Sequence, residues 1–187
     1  MEDKTTGKPE KIILGIDPGT NLMGYGLIRI HGQRIILIQY GVIHLSKYSN
    51  HEHKLKKIYD RVLSLIDDYH PDEMALEAPF YGKNVQSMLK LGRAQGVAMA
   101  AALSREIPIQ EYAPKKVKSS VTGNGNASKE QVAEMIKTLV NVPLEPKALD
   151  ATDAVAVAIC HHFQAGRPQS SNKGWKSFIK NNPGRLK

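Results

Sequence analysis

The sequence is short of several residue types, and each shortage excludes a class of protein. A single cysteine, Cys160, among 187 residues excludes an internal disulfide and a cysteine zinc site, and it fits a reducing cytoplasm. No apolar run approaches the roughly 18–20 residues of a membrane-spanning helix. The first eleven residues are polar and mixed in charge, unlike a secretory signal peptide. We therefore expect a cytoplasmic protein.

Acidic residues are also scarce. The 26 Lys and Arg residues outnumber 18 Asp and Glu residues, which gives a formal net charge of +8. The excess is uneven, because residues 165–187 hold Lys and Arg but no Asp or Glu. We interpret this segment as a flexible tail attracted to polyanions, with a merely solubilising tail as the alternative. The predicted organisation is an N-terminal extension (1–11), one globular domain (12–164) and the basic tail (165–187).

Apolar periodicity predicts strands first and then alternating strands and helices. Strands are predicted at residues 12–17, 24–30, 34–45 (one strand or two short ones), 73–77 and 109–112. Helices are predicted at residues 53–69, 84–106, a short stretch from 114, 129–140 and 148–163, with Ser128 as an N-cap. The first three strands favour an antiparallel meander. The whole pattern indicates a mixed sheet with helices packed on it.

Four carboxylates stand at the ends of apolar segments or within them: Asp17, Glu77, Asp150 and Asp153. A buried carboxylate without a partner pays a large desolvation cost, and clustered carboxylates also repel one another. A divalent cation such as Mg²⁺, which prefers oxygen ligands, removes both problems. On a basic chain the cluster predicts a metal-dependent site that cleaves phosphodiesters, where two metals about 3.5–4 Å apart can activate water and stabilise the leaving oxygen.

Each acid also has a simpler explanation. Asp17 precedes Pro18, and Asp is favoured at the first position of a type I turn. Asp150 and Asp153 share one helix face near a predicted N-terminus, where negative charge stabilises the helix. The metal site is favoured because the simpler explanations require several coincidences at once.

Aromatic and basic side chains supply candidate contacts to nucleic acid. Phe80 and Tyr81, beside Lys83, would form an exposed tip whose rings stack on unpaired bases; packing under the sheet is the alternative. Four lysines flank the Gly/Asn-rich loop at 123–126 and would contact phosphates, although surface lysines often contact nothing: Lys115, Lys116, Lys118 and Lys129.

The histidines give a weaker signal. His51 and His53 lie in a predicted polar loop and are expected to be solvated. His161 and His162 come two or more turns beyond Asp153, where surface or capping positions are expected. No Ser/His/Asp or Cys/His order indicates a covalent nucleophile.

Together these residues resemble the RuvC-type Holliday-junction resolvases, the crossover junction endodeoxyribonucleases. The resemblance covers about residues 12–164. It rests on Ile13-Leu14-Gly15-Ile16-Asp17-Pro18-Gly19-Thr20, Gly24-Tyr25-Gly26, Leu76-Glu77-Ala78-Pro79-Phe80, Lys83-Asn84, Leu89-Lys90-Leu91-Gly92-Arg93-Ala94-Gln95-Gly96-Val97, Glu111-Tyr112-Ala113-Pro114 with Lys118, and Asp150-Ala151-Thr152-Asp153-Ala154. Several ordered blocks at sensible spacing are far more specific than a lone Asp-Pro-Gly turn.

The resemblance implies an RNase H-like fold, with a five-stranded mixed sheet and helices on both faces. It implies a bacterial, cytoplasmic homodimer that nicks two strands of like polarity in a four-way DNA junction, leaving 5′-phosphate and 3′-hydroxyl ends, in recombination and repair. The helix from Asn84 would form the dimer contact, and a RuvAB branch-migration complex would be a partner.

The resemblance also implies roles for individual residues. The four acids would hold Mg²⁺, two ions per subunit, with Mn²⁺ as a substitute. Phe80 would stack at the junction centre. Lys118 and Lys129 would lie near the scissile phosphate, with Lys118 taking part in catalysis.

The sequence leaves three alternatives open. An ATP-binding protein of the actin, Hsp70 and sugar-kinase type has a similar first phosphate loop but needs a second domain and a second Gly-rich loop. Another nuclease on the same fold, such as one that cuts RNA–DNA hybrids, would be separated by its substrate. A junction-binding structural protein would bind without cutting, and the retention of all four acids argues against it.

Overall fold

A computed structural model describes residues 10–79, 84–141 and 149–165, and it contains one five-stranded sheet flanked by helices. The strands are β1 (Lys11–Asp17), β2 (Leu22–His31), β3 (Arg34–His44), β4 (Glu73–Glu77) and β5 (Ile109–Tyr112). The helices are α1 (His51–Tyr69), α2 (Val85–Leu103), α3 (Pro114–Thr122), α4 (Lys129–Val140) and α5 (Leu149–Ala165).

The strand order is β3-β2-β1-β4-β5, and the sheet is mixed. The β1, β2 and β3 strands form the predicted antiparallel meander, whereas β1–β4 and β4–β5 are parallel pairs. Residue Ile16 on β1 lies opposite Leu76 on β4, so the next residues, Asp17 and Glu77, come to the same edge of the sheet. The topology alone therefore brings the first two predicted acids together.

Alternate residues of the strands supply two separate cores, one on each face of the sheet. On β1, Ile13 packs with α3, α4 and α5, whereas Leu14 packs with α1 and α2. Successive side chains of a strand point to opposite faces of the sheet. A strand whose two faces are both covered by helices therefore needs a continuous apolar run. The predicted fold, a five-stranded mixed sheet with helices on both faces, is confirmed.

Helix α5 lies directly against the central strands because glycine replaces a side chain at the contact. A Cβ atom at Gly15 would lie 2.1 Å from the carbonyl oxygen of Ala154, and a Cβ atom at Gly24 would lie 2.1 Å from that of Asp150. Real side chains cannot approach a backbone oxygen this closely. The two glycines therefore set how near the first turns of α5 sit to the sheet edge.

Most predicted elements are present, with differences at their ends. Segment 34–44 is one strand, and Ser128 caps α4 with a reciprocal capping box to Gln131. Helix α2 ends at Leu103 rather than at 106, because Glu106 adopts a left-handed backbone (φ 58°) that stops the helix. Helix α1 begins at His51, so the prediction of a loop around the first two histidines is wrong.

The prediction for His161 is also wrong. It lies inside α5, is only 7% exposed, and its Nδ1 is 2.7 Å from the Tyr112 hydroxyl. Its Nε2 contacts the carboxylate of Glu73, which also pairs with Lys11 at 2.6 Å. Because both ring nitrogens have a polar partner, from β5 and from β4, the ring can be buried without an unsatisfied nitrogen. Residue His162 is half-buried in the same helix.

Within the described ranges, no helix combines the length and the apolar composition that a membrane crossing requires. The first nine residues and the basic tail from 166 onward lie outside the described residues. The division into extension, domain and tail therefore remains a prediction.

Candidate active site

The four predicted carboxylates come from three elements that meet at one edge of the sheet. Asp17 ends β1 and Glu77 ends β4. Asp150 and Asp153 lie in the first turns of α5, which the close contact at Gly24 holds over the same edge. Residues distant in sequence are thus neighbours, as the joint metal-site prediction requires.

Three of the acids line one small cleft with a volume of about 260 Å³. Its walls come from β1, β4, α3, α4 and α5. The lining residues are Asp17, Glu77, Pro114, Val117, Lys118, Lys129, Val132, Asp153 and Ala156. The carboxylate of Asp150 joins the group through Lys129, which contacts both helix acids. Acidic and basic side chains therefore line the same cleft.

Burial and mutual repulsion make the two strand acids hard to ionise. Desolvation, followed by the charges of Glu77 and Asp153, raises the pKa of Asp17 to about 8. Desolvation, followed by the charge of Asp153, raises the pKa of Glu77 to about 7. Burial also raises the pKa of Asp153, although Lys129 partly offsets this. Such groups favour a bound cation, because it stabilises their ionised form.

Lys129, at the start of α4, is the cation nearest to the helix acids. Its Nζ lies 3.1 Å from Asp150 Oδ1 and 2.6 Å from Asp153 Oδ2. Burial opposes its charge, but the hydrogen bonds and charges of Asp153 and then Asp150 raise its pKa above the ordinary value. The ammonium group thus neutralises part of the acidic cluster.

Lys118 reaches the cleft from α3. Its Nζ donates to the carbonyl oxygen of Ala127 at 2.8 Å, which ties α3 to the turn before α4. Its charge, after that of Lys129, offsets part of the rise in the pKa of Glu77 that burial and Asp153 cause. Lys118 and Lys129 therefore both line the cleft that holds three of the predicted acids.

Of the remaining predicted DNA contacts, two do not line the cleft and three lie outside the described residues. Lys115 and Lys116 are exposed on α3 and are not among the described residues that line the cleft. Lys116 borders a separate polar depression instead. The predicted aromatic tip, Phe80 and Tyr81 with Lys83, lies outside the described residues.

One contact beside the site was not predicted. Lys54 of α1 donates to the carbonyl oxygen of Thr20 at 3.1 Å and to Asn21 Oδ1 at 3.2 Å, in the turn that follows Asp17. A lysine in a helix rich in lysines carries no sequence signal for this role, because only the fold brings α1 against that turn.

Comparison with known proteins decides the family. The model of the family "Crossover junction endodeoxyribonuclease RuvC" matches residues 13–161. The chain belongs to the RuvC family. The RuvC protein of Cytophaga hutchinsonii is 64% identical over all of this chain and 94% of the relative. That of Bacteroides fragilis is 60% identical over 95% of this chain and 97% of the relative.

Solved structures agree with this membership. Thermus thermophilus RuvC in complex with a Holliday junction substrate superposes with a TM-score of 0.77 at 29% identity, covering 83% of this chain and 94% of that one. A yeast mitochondrial Holliday junction resolvase, at 16% identity and a TM-score of 0.58, shares the fold. The predicted fold and enzyme class, an RNase H-like crossover junction endodeoxyribonuclease acting in recombination and repair, are confirmed.

RuvC family nucleases depend on divalent metal, and the donor set here fits such an ion. Four carboxylates are oxygen donors of the kind that Mg²⁺ prefers, and two of them are held in a buried, repulsive arrangement that a cation relieves. As arranged, no three Asp, Glu, His or Cys side chains in the described parts of the chain converge closely enough to hold a metal. Two of the four acids are instead engaged by Lys129.

The raised pKa values predict how pH affects the stability of this RuvC family member without metal. Ordinary carboxyl pKa values lie near 4, whereas those of Asp17 and Glu77 are raised to about 8 and about 7. The folded state therefore holds more protons, so these two groups should lower the free energy of unfolding as pH rises from about 4 to about 8.

Thermal unfolding in EDTA between pH 5 and 9 measures this loss. The variant with both Asp17→Asn and Glu77→Gln is the reference, since it lacks the two titrating groups. We expect the stability advantage of the variant to grow with pH and to level off above pH 8. An advantage independent of pH would contradict the buried, repulsive arrangement.

Proposed function

We propose that this RuvC family member resolves Holliday junctions by hydrolysing one phosphodiester in each of two strands of like polarity, at the site formed by Asp17, Glu77, Asp150 and Asp153. The products are ligatable nicks with 5′-phosphate and 3′-hydroxyl ends. The observation that carries the proposal is the meeting of four carboxylates and two lysines, from β1, β4, α3, α4 and α5, at one edge of the sheet.

The four carboxylates would hold Mg²⁺, with two ions per subunit and Mn²⁺ as a substitute. Bound at such a site, divalent ions lower the pKa of water and stabilise charge on the phosphate and the leaving oxygen. The protein supplies the fixed geometry. Asp17 and Glu77 are positioned by paired strands, and Asp150 and Asp153 by a helix pressed against the sheet.

The lysines position the substrate strand. Lys118 and Lys129 line the same cleft as three of the acids, so they would draw the scissile phosphate toward the carboxylates. Lys115 and Lys116 on the exposed side of α3 would contact phosphates farther along the strand. Further proposed DNA contacts are Phe80, stacked on bases at the junction centre, with Tyr81 and Lys83 beside it.

Two active sites on one junction require a dimer, and α2 offers the surface for it. Its outward face carries apolar and small residues at spacings of three, four and seven, which is the pattern of paired helices: Val85, Leu89, Gly92, Gly96 and Leu103. Leu89 is 53% exposed, and nothing lies within 4 Å of a Cβ atom placed at Gly92 or Gly96. We propose that α2 pairs with its copy along this stripe.

A Leu89→Glu substitution is expected to convert the dimer to monomer, because it places a charge in the proposed apolar contact. Sedimentation velocity across protein concentrations measures the change. Met135→Glu, at an exposed apolar position of α4 (38% exposed), is the matched control and should remain dimeric. If both variants sediment like the wild type, α2 is not the dimer contact.

We further propose that the protein acts in the bacterial cytoplasm together with a RuvAB branch-migration complex. The close bacterial relatives and the DNA substrate support the location, and the resemblance described above suggests the partner.

The deciding experiment is cleavage of a labelled four-way DNA junction beside a linear duplex and an RNA–DNA hybrid, with Mg²⁺ or EDTA. Paired, Mg²⁺-dependent nicks confined to the junction are expected. Cutting of the hybrid would reassign the substrate, and binding without cutting across several junction sequences would refute catalysis at this site.

A further inference from the structure

A second group of lysines lies on and beside α1, which packs on the opposite face of the sheet from α3 and α4. Lys47 follows β3, and Lys54 and Lys57 lie in the first two turns of α1. Positions three apart share one side of a helix, so Lys54 and Lys57 face the same way. These three residues are called the β3–α1 basic surface.

Strand pairing places this surface at the same edge of the sheet as the acids. Asp17 pairs with Gly24 on β2, and Leu22 pairs with His44 at the end of β3. Two strand spacings separate β1 from β3, about 10 Å. Lys54 contacts the turn after Asp17 directly, through Thr20 and Asn21. The surface therefore begins beside the active site and extends away from it.

The charge of this surface is not balanced by neighbouring acids. Between residues 44 and 57 there are four lysines and one carboxylate, Glu52. Lys56 is paired with Asp60 at 2.7 Å. In the described part of the chain, neither Lys47 nor Lys57 forms an ion pair, and Lys47 lies 5.6 Å from the ring centroid of Tyr48. Unpaired lysines clustered beside a nuclease site are suited to bind the DNA backbone.

We propose that the β3–α1 basic surface binds backbone phosphates of the junction arm that leaves the active site past Asp17. Phosphates recur about every 3.4 Å along each strand of a duplex. A surface starting about 10 Å from Asp17 therefore meets the arm roughly three nucleotides from the scissile phosphate. With Lys118 and Lys129 on the other side, the substrate is held on both flanks of the carboxylates. This inference rests on the proposed function, because it requires junction DNA at that site.

The test is a double substitution, Lys47→Gln with Lys57→Gln, which leaves the turn contact of Lys54 intact. The matched control is Lys56→Gln with Lys137→Gln. It removes the same charge, but from lysines that are paired with Asp60 and Glu134. Binding of a labelled four-way junction is measured by fluorescence anisotropy in EDTA at several salt concentrations, and thermal unfolding checks that both variants are folded.

We expect the double variant to bind about tenfold more weakly near 0.1 M salt. The slope of log Kd against log salt should fall by about 1.8, since each phosphate contact contributes about 0.9. The control should match the wild type. Equal affinity and slope for the two folded double variants would overturn this inference alone. A wild-type protein that neither binds nor cuts the junction would instead overturn the proposed function.

Discussion

Replacing Asp17 by Asn is expected to abolish junction cleavage while stabilising the metal-free protein. Asn keeps the shape of Asp but carries no charge, so it cannot serve as an ionised metal ligand. Loss of such a group in hydrolytic enzymes typically lowers the rate by at least about 10³-fold. The free energy of unfolding should rise, because the substitution removes a charge that is disfavoured by burial and by the charges of Glu77 and Asp153.

The expected gain in the free energy of unfolding is about 2 kcal/mol near pH 8. For a domain of this size that corresponds to a rise of about 4–8 °C in Tm. Thermal unfolding in EDTA and single-turnover cleavage in Mg²⁺ measure the two effects. Asp60→Asn, on the exposed face of α1, is the control and should change neither. A variant that still cuts at the wild-type rate would remove Asp17 from the active site.

Gly24→Ala is expected to cost the enzyme most of its activity although residue 24 carries no functional group. The added Cβ atom would lie 2.1 Å from the carbonyl oxygen of Asp150, so the first turn of α5 must move away from the sheet. Asp150 and Asp153 would move with it, relative to Asp17. A misplacement of about 1 Å in a catalytic geometry can cost about 10²-fold in rate, and overpacking costs about 1–3 kcal/mol.

Gly41→Ala is the matched control for this substitution. A Cβ atom there would meet the Tyr25 side chain at 2.6 Å, so it also crowds the sheet, but it does not touch α5. Both variants should lower Tm, whereas only Gly24→Ala should lower the rate of cleavage at a temperature where both are folded. Equal rates for the two would show that the position of α5 tolerates displacement.

The acids and most elements could be predicted from the sequence because each carries a local signal. Asp17 and Glu77 end strands whose apolar runs are continuous, and the capping residue Ser128 precedes a clear helical pattern. A carboxylate beside an apolar segment can be recognised in the sequence without knowledge of its neighbours in the fold. The resemblance to the RuvC family implies that the four acids act together at one site.

What the sequence did not reveal depends on contacts between distant segments. The burial of His161 follows from Tyr112 and Glu73, which reach it from β5 and β4. The pairing of Lys129 with two acids, and the contact of Lys54 with the turn after Asp17, likewise join different elements. No periodicity encodes such pairs, because each partner alone has the pattern of an ordinary surface residue.

The position of α5 also has a consequence for synthesis of the chain. The N-terminal strands leave the ribosome first, yet one face of their sheet is covered by the last of the described helices, which also brings Asp150 and Asp153. Until that helix docks, the nascent chain exposes apolar surface, and two of the four predicted carboxylates are missing from the site. The same event that completes the core therefore completes the proposed four-carboxylate site, so we expect an unfinished chain to be unable to cut DNA while it is still being made.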